Sequence, residues 1–184
     1  MRYLVLIFIP TFFFSCKSEK EEAVELFAKE VTKVKIWSYP ARGLWDVEDG
    51  KERQGIKILN NKIQLDTTKL IDNIELNSNQ KKEFFALLKN DICGNSGTHA
   101  ACYIPRHLIH FYDKNEKLIG FYEFCIECGG SVESETLKNI PPFCIEKGTE
   151  MEQLLKSFGL KITSDKSPEI KAIEKELGKQ LLGK

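Results

Sequence analysis

The sequence predicts an α+β fold: an antiparallel sheet of about four to five strands with two to three helices packed on one face. Three observations carry this. Helix-like and strand-like apolar periods are mixed along the chain, with no βαβ rhythm of the kind a parallel sheet requires. In "RHLIHFYDKNEKLIGFYEFCIEC" two aromatic-rich apolar runs flank a turn at Asp113 to Glu116, which marks a β-hairpin. Around Phe84 and again around Leu154, apolar residues recur at helical spacing between recognisable start and stop signals.

The elements follow in order. "VTKVKIWSY" alternates, Val34 and Ile36 against Lys33, Lys35 and Trp37, which predicts a half-buried strand. "ARGLWDVEDGKERQG" is read as a loop from its glycines and charges. "IKILNNKIQL" reads as two short strands around Asn60-Asn61, a hairpin signal. In "IELNSNQKKEFFALLKN", Asn77 or Ser78 caps a helix, and Gln80 stands where a capping box needs it. Phe84, Phe85, Leu87 and Leu88 form its buried side. "CGNSGTHAACYIP" is a loop, then comes the hairpin, then "GGSVESETLKNIPP" as a further loop. Glu150 to Phe158 predicts a helix buried through Met151, Leu154, Leu155 and Phe158 and ended by Gly159. "LKITSDKSP" leaves the domain, and Glu169 to Leu182 forms a final amphipathic helix with Ile170, Ile173, Leu177 and Leu181 on one stripe.

The N-terminal segment is of another kind. Met1-Arg2 is a short basic start, and Tyr3 to Phe14 carries no charge. A membrane-spanning helix needs roughly 20 apolar residues, and this run is shorter and holds Pro10. A basic start, a short apolar core and a small residue, Ser15, before the break match the secretory-signal pattern. Cys16 follows, and then the charged "KSEKEE". This resembles the signal of bacterial lipoproteins, with Phe13 and Phe14 at the two places that the looser boxes of Bacteroidota-type bacteria leave open. The resemblance implies cleavage after residue 15, lipidation of Cys16 by several acyl chains (palmitate among them), and attachment to the membrane through that anchor. Lys17, in the second position of the mature chain, is not the Asp that favours inner-membrane retention in enteric bacteria, so the expected location is the outer membrane of the cell envelope, on its periplasmic or its surface face. The expected organisation is a signal peptide at 1–15, a lipidated cysteine and charged tether at 16–25, one α+β domain at 26–164, and the amphipathic helix at 165–184.

Composition narrows the function classes. Lys plus Arg total 27 and Asp plus Glu total 27, so formal charge is zero, and no basic stripe suggests nucleic acid. There is no G-x-S-x-G, phosphate-cradling glycine loop or H-E-x-x-H. His107 and His110, three apart on a strand, point to opposite sides and read as ordinary strand histidines. Arg106, with Glu123 and Glu127 on the partner strand, is placed for cross-strand ion pairs. Trp37, Tyr39 and Trp45 read as packing aromatics.

Five cysteines follow Cys16: Cys93, Cys102, Cys125, Cys128 and Cys144. If Tyr112 faces Leu118, Cys128 lies opposite Cys102 at the open end of the hairpin, with Cys125 beside them and Cys93 within reach. Three chemistries compete there. The first is structural disulfides, which persist in an oxidising envelope, pairing Cys102 with Cys128 and Cys93 with Cys125. The second is zinc held by four of Cys93, His99, Cys102, Cys125 and Cys128. "CIECGG" resembles the knuckle of zinc ribbons and rubredoxins, although no second knuckle accompanies it. The third is thiol-redox chemistry at Cys125/Cys128, against which Gly129-Gly130 blocks the helix start that lowers thiol pKa in thioredoxin-like proteins. Cys144, beyond Pro141-Pro142, is the expected odd sulfur.

"CYIPRHLIHFYDKNEKLIGFYEFCIECGG" also resembles a block of uncharacterised secreted lipoproteins of Bacteroidota-type bacteria, to which no activity is attached. The expectation is a lipid-anchored envelope protein with no catalytic residues and no cofactor, a non-enzymatic binding or assembly module for a protein or small-molecule partner. The alternative is a thiol-redox or zinc-dependent envelope enzyme.

Overall fold

The computed structural model describes residues 18–48, 51–53, 55–94, 97–161, 164 and 167–182. The signal segment and Cys16 lie outside the described residues.

A five-stranded antiparallel sheet is the frame. Its strands are β1 (Lys33–Ser38), β6 (Asp72–Glu75), β7 (His107–Tyr112), β8 (Leu118–Cys125) and β9 (Gly130–Glu133), in the order β6-β1-β7-β8-β9. Two small hairpins, β2 (Val47–Glu48) with β3 (Lys51–Glu52) and β4 (Ile58–Leu59) with β5 (Lys62–Ile63), fill the β1–β6 connection. The helices are α1 (Glu19–Glu30), α2 (Ser78–Lys89), α3 (Ile145–Ser157) and α4 (Pro168–Leu182). The fold is thus an α+β mix.

The alternation in β1 is observed: Val34 and Ile36 are fully buried, against half-buried Lys33, Lys35 and Trp37. Val34 and Ile36 join Ile109, Phe111, Tyr122 and Phe124 on one face of the sheet. Val24 and Phe27 of α1, Phe84 and Leu88 of α2, and Met151 and Leu155 of α3 cover them. Each such side chain contributes about 1.5–3 kcal/mol on burial. The other face carries a smaller cluster of Tyr39, Leu108 and Phe121, with Trp37, Trp45 and Val132 against it. The aromatics of "WSYPARGLW" are therefore packing residues.

Local signals explain most boundaries. Asn77 caps α2 by accepting from the Asn79 and Gln80 N–H groups, and the Gln80 side chain accepts from Asn77 N–H. Phe84 and Leu88 are fully buried, while Phe85 and Leu87 pack at the margin. Asn60 (φ 49°) and Asn61 (φ 62°) make the left-handed turn of the β4–β5 hairpin. Asp113 closes the β7–β8 turn by accepting from the Asn115 and Lys117 N–H groups. Gly159 (φ +87°) ends α3, with Leu160 N–H donating to Leu155 O at 3.2 Å.

Several expectations are corrected. Ala23 to Glu30, readable from the sequence either as a short helix or as more of the tether, is helical, and the tether does not run to residue 25, because α1 begins at Glu19: Ser18 and Glu21 form a capping box, and Val24 is buried in the core. "ARGLWDVEDGKERQG" holds a 3-10 turn at Arg42–Leu44 and the β2–β3 hairpin. "GGSVE" is a strand rather than a loop, since β9 pairs with β8. Asp72–Glu75, unassigned from the sequence, pairs with β1 as an edge strand. The helix around Leu154 starts at Ile145, five residues early. The segment after it does not simply leave the domain. Leu160 and Ser164 are buried, Lys161 N–H donates to both carboxylate oxygens of Asp72 at 3.1 Å, and Ile170 of α4 is fully buried.

Candidate functional site

The cysteine-bearing end of the β7–β8 hairpin gathers Cys102, Cys125 and Cys128, with the Cys93–Cys144 pair beside them. Tyr112 does face Leu118, but a bulge at Phe111/Tyr112 shifts the register by one, so that His107 faces Phe124. Strand β8 then ends at Cys125, and the turn Ile126 to Gly129 feeds β9. Gly129 is required there. Its φ is +65°, and a Cβ would lie 2.4 Å from Ile145 N and 2.7 Å from Thr98 O.

The loop 97–105 closes over this turn. Ala100 N–H donates to Cys128 O at 2.8 Å, and Ile145 N–H donates to Thr98 O at 3.0 Å. His99 Nδ1 lies 2.7 Å from Gly129 O. Thr98 reaches the first turn of α3, its hydroxyl donating to Glu146 at 2.8 Å, and N–H and O–H donors at this helix start lower the Glu146 carboxyl pKa. A Cβ at Gly97 would sit 2.8 Å from Cys144 Cβ and 3.0 Å from Cys93 Cβ, so the loop runs directly across that pair.

Among the described residues two disulfides are formed, Cys93–Cys144 and Cys125–Cys128. The first ties the segment after α2 to the N-cap of α3. The second closes the C-x-x-C turn. Of the described cysteines, Cys102 holds the free thiol and is exposed, its Sγ 3.6 Å from Cys128 Sγ. The expected pairing is thereby corrected. Cys102 does reach Cys128, but Cys128 is already bonded to Cys125, and Cys144 rather than Cys125 takes Cys93. Cys144 is not the odd sulfur, because the start of α3 at Ile145 carries it back beneath residue 97. For zinc, three of the five candidate ligands (Cys93, Cys125 and Cys128) are engaged as disulfides, and His99 turns Nδ1 to a backbone carbonyl. Among the described residues, no group of three or more His, Cys, Asp or Glu side chains is arranged to hold a metal ion.

Around the sulfurs stands an ionic frame. Arg106 grips Glu174 of α4 through two hydrogen bonds of 2.8 and 3.0 Å, and its third nitrogen lies 3.7 Å from Glu127. Glu174 also accepts from Ala41 N–H at 2.6 Å. The expected cross-strand pairing of Arg106 holds for Glu127 but not for Glu123. Glu123 turns to the other face of the sheet and into a buried network. Its carboxylate accepts from Tyr39 O–H at 2.7 Å and Tyr103 O–H at 3.3 Å, and meets Arg42 Nε at 3.0 Å. Arg42 also meets Asp46 at 3.0 Å and donates to Gly55 O at 2.8 Å. Burial pushes the Glu123 carboxyl upward against the pull of Arg42, and burial beside Glu123 pushes the Tyr39 hydroxyl far upward. Sequence reasoning missed Arg42 in this role, because an arginine in a charged loop carries no mark of burial.

Two further groups are buried and titratable. His110, on the face opposite His107, packs edge-on to Trp37 with ring centroids 4.0 Å apart. Burial, aided by Lys35, lowers its pKa to about 3. Lys147 is fully buried, with its Nζ donating to Leu88 O at 3.1 Å, and burial lowers its pKa to about 8. It satisfies a carbonyl at the C-terminal end of α2. An apolar concavity of about 460 Å³ lies between α1 and α2, floored by Val24, Val31 and Phe85 and edged by Lys81, Lys82 and Lys89.

No protein-family model, no curated protein and no solved structure matches the chain. Among the described residues, no helix is long and apolar enough to cross a membrane.

Proposed function

We propose that the chain is an exported protein anchored to the cell envelope through lipidated Cys16, and that its α+β domain is a non-enzymatic binding or assembly module at the outer membrane. The observation that carries the reading is the stretch from Met1 to Cys16: a basic start, an uncharged apolar run interrupted by Pro10, and a cysteine after a small residue. The order immediately beyond it fits. Ser18 caps α1, and Val24 and Phe27 of that helix enter the core, so a folded domain begins where an anchor would hold it. Two disulfides suit an oxidising compartment outside the cytoplasm. Among the described residues, the α1/α2 groove is a concave apolar surface open to a partner.

The test is metabolic labelling with a fatty acid, followed by membrane fractionation, of the wild-type protein and Cys16→Ser. The wild type should carry label and pellet with membranes, and the variant should carry none and leave the membrane fraction or stay uncleaved. A variant that still takes up label and still pellets would overturn the reading.

A further inference from the structure

The Cys125–Cys128 disulfide is sealed from solvent, both residues being at most 2% exposed. An external thiol cannot approach either sulfur in line. Cys102 is different: it is exposed, and its Sγ already stands 3.6 Å from Cys128 Sγ, close to van der Waals contact between sulfurs. Within that disulfide, Cys128 N–H donates to Cys125 Sγ at 3.2 Å, and Glu127 Oε2 lies 3.8 Å from the same sulfur, placed to accept from the Cys125 S–H once it has taken up its proton. A backbone donor aimed at that sulfur stabilises negative charge on it if it leaves as a thiolate. Nucleophile, electrophilic sulfur and a supported leaving group are thus held together by the loop 97–105, whose hydrogen bonds to the turn are those already described.

We propose that Cys102, Cys128 and Cys125 form a thiol–disulfide exchange site, entered at Cys102 by the thiol of a second molecule. In the first step the Cys102 thiolate attacks Cys128 Sγ. A Cys102–Cys128 bond forms, the Cys125–Cys128 bond breaks, and Cys125 leaves with the electron pair. Nothing is oxidised or reduced overall, and the proton given up by Cys102 is matched by one taken up at Cys125. The bridge now has an exposed end. In the second step an external thiolate attacks Cys102 Sγ, forming a mixed disulfide and releasing the Cys128 thiolate. In the third a second external thiolate attacks the mixed disulfide, releasing Cys102. Two external thiols are joined as one disulfide, their protons pass to Cys125 and Cys128, and the buried bridge is reduced. The bridge is consumed once per chain, so this exchange is stoichiometric rather than enzymatic turnover; it goes beyond the proposed anchor and module and stands apart from both.

The experiment follows reduction of the bridge in the native, oxidised protein by glutathione. Samples are quenched in acid, alkylated, and mapped as non-reduced peptides. Wild-type protein should pass through a species linking Cys102 to Cys128. In Cys102→Ala the Cys125–Cys128 link should form as before, but its reduction by glutathione should slow at least tenfold. The thermal melt of the oxidised variant should stay within a few degrees of wild type, since residue 102 is exposed. Equal reduction rates in the two proteins would overturn the proposal. A second variant does not depend on rate. In Cys125→Ala, air oxidation should link Cys102 to Cys128, and recovery of both as free thiols would equally overturn it.

Discussion

Replacing Arg42 by methionine tests whether the buried ionic network on the second face of the sheet is a structural keystone. The side chains of Arg42, Asp46 and Glu123 are 3%, 8% and 0% exposed, so no solvent stands ready to replace a lost partner. Methionine keeps most of the stem's packing and removes the charge. Glu123 then retains two tyrosine hydroxyls but no cation, while the Gly55 and Arg53 carbonyls lose their shared donor. Removing one member of a buried pair typically costs about 3–5 kcal/mol, because the remaining charge is stranded in low dielectric. For a domain of this size each kcal/mol lowers the melting temperature by roughly 2–4 °C, so a drop of about 6–20 °C is expected. Glu123→Gln keeps the shape and the oxygen that Tyr39 reaches, and leaves Arg42 paired with Asp46, so it should cost less, about 1–3 kcal/mol. The double variant should be milder than the sum of the two, since a neutral amide at position 123 needs no counter-charge. A coupling of about 1 kcal/mol or more is expected for groups in direct contact. Urea and thermal melts followed by circular dichroism measure all three. If Arg42→Met melts within about 2 °C of wild type, or if the two changes add within about 0.5 kcal/mol, the network does not act as argued.

The two disulfides should differ in what they contribute. Cys93 and Cys144 are 51 apart in sequence and Cys125 and Cys128 only 3, so chain entropy assigns the first about 4 kcal/mol and the second about 2 kcal/mol. Urea midpoints of the Cys93→Ala/Cys144→Ala and Cys125→Ala/Cys128→Ala proteins should fall in that order, and the reverse order would refute the assignment. Stability should also fall in acid through His110. Its folded pKa of about 3 lies below the unfolded value of about 6.5. Between those limits the unfolded chain therefore binds the extra proton. This share of stability is whole above about pH 6.5 and drains at up to about 1.4 kcal/mol per pH unit as pH falls towards 3. His110→Phe should flatten the profile in that window, as measured by urea melts at stepped pH.

The sequence made legible those parts of the fold whose causes are local. Val34 and Ile36 announced β1 by alternation, Asn77 and Gln80 announced α2 by their spacing, and Gly159 announced the end of α3. What stayed hidden depends on partners far along the chain. Strands β6 and β9 are four-residue edges, and each is ordered by pairing with β1 or β8 rather than by its own pattern. The first turn of α3 carries Lys147 and Gly148, ahead of the expected start at Glu150. The lysine is buried against Leu88 O, and the glycine is needed because a Cβ would lie 2.5 Å from Ile126 O. At the site, Cys102 does meet Cys128, but through the loop 97–105 folding over the turn and not through the strand register, which the bulge shifts by one. The bond itself went elsewhere, because neither the bulge at Phe111 nor the packing of Cys144 beneath residue 97 leaves a trace in spacing. Arg42 and Glu123 are 81 positions apart and share no motif.

The early start of α1 sets the length of a leash. With Cys16 in the membrane surface, as proposed, and Ser18 already the cap of a helix sunk in the core, the slack is two residues of chain, roughly 7 Å at full stretch. That is less than the width of one helix, about 10–12 Å. A domain held so closely does not sweep a volume of solvent in search of partners. On the proposed anchor it would ride on the bilayer with one end down, and a partner would have to arrive at the membrane to meet it. The end that is down carries Glu19, Glu21 and Glu22 in its first turn. Against anionic headgroups, at distances within a Debye length of about 8 Å, those carboxylates push back. If the anchor is as proposed, lipid would pull and charge would repel across the same short gap, and the balance between them would fix which way the domain faces.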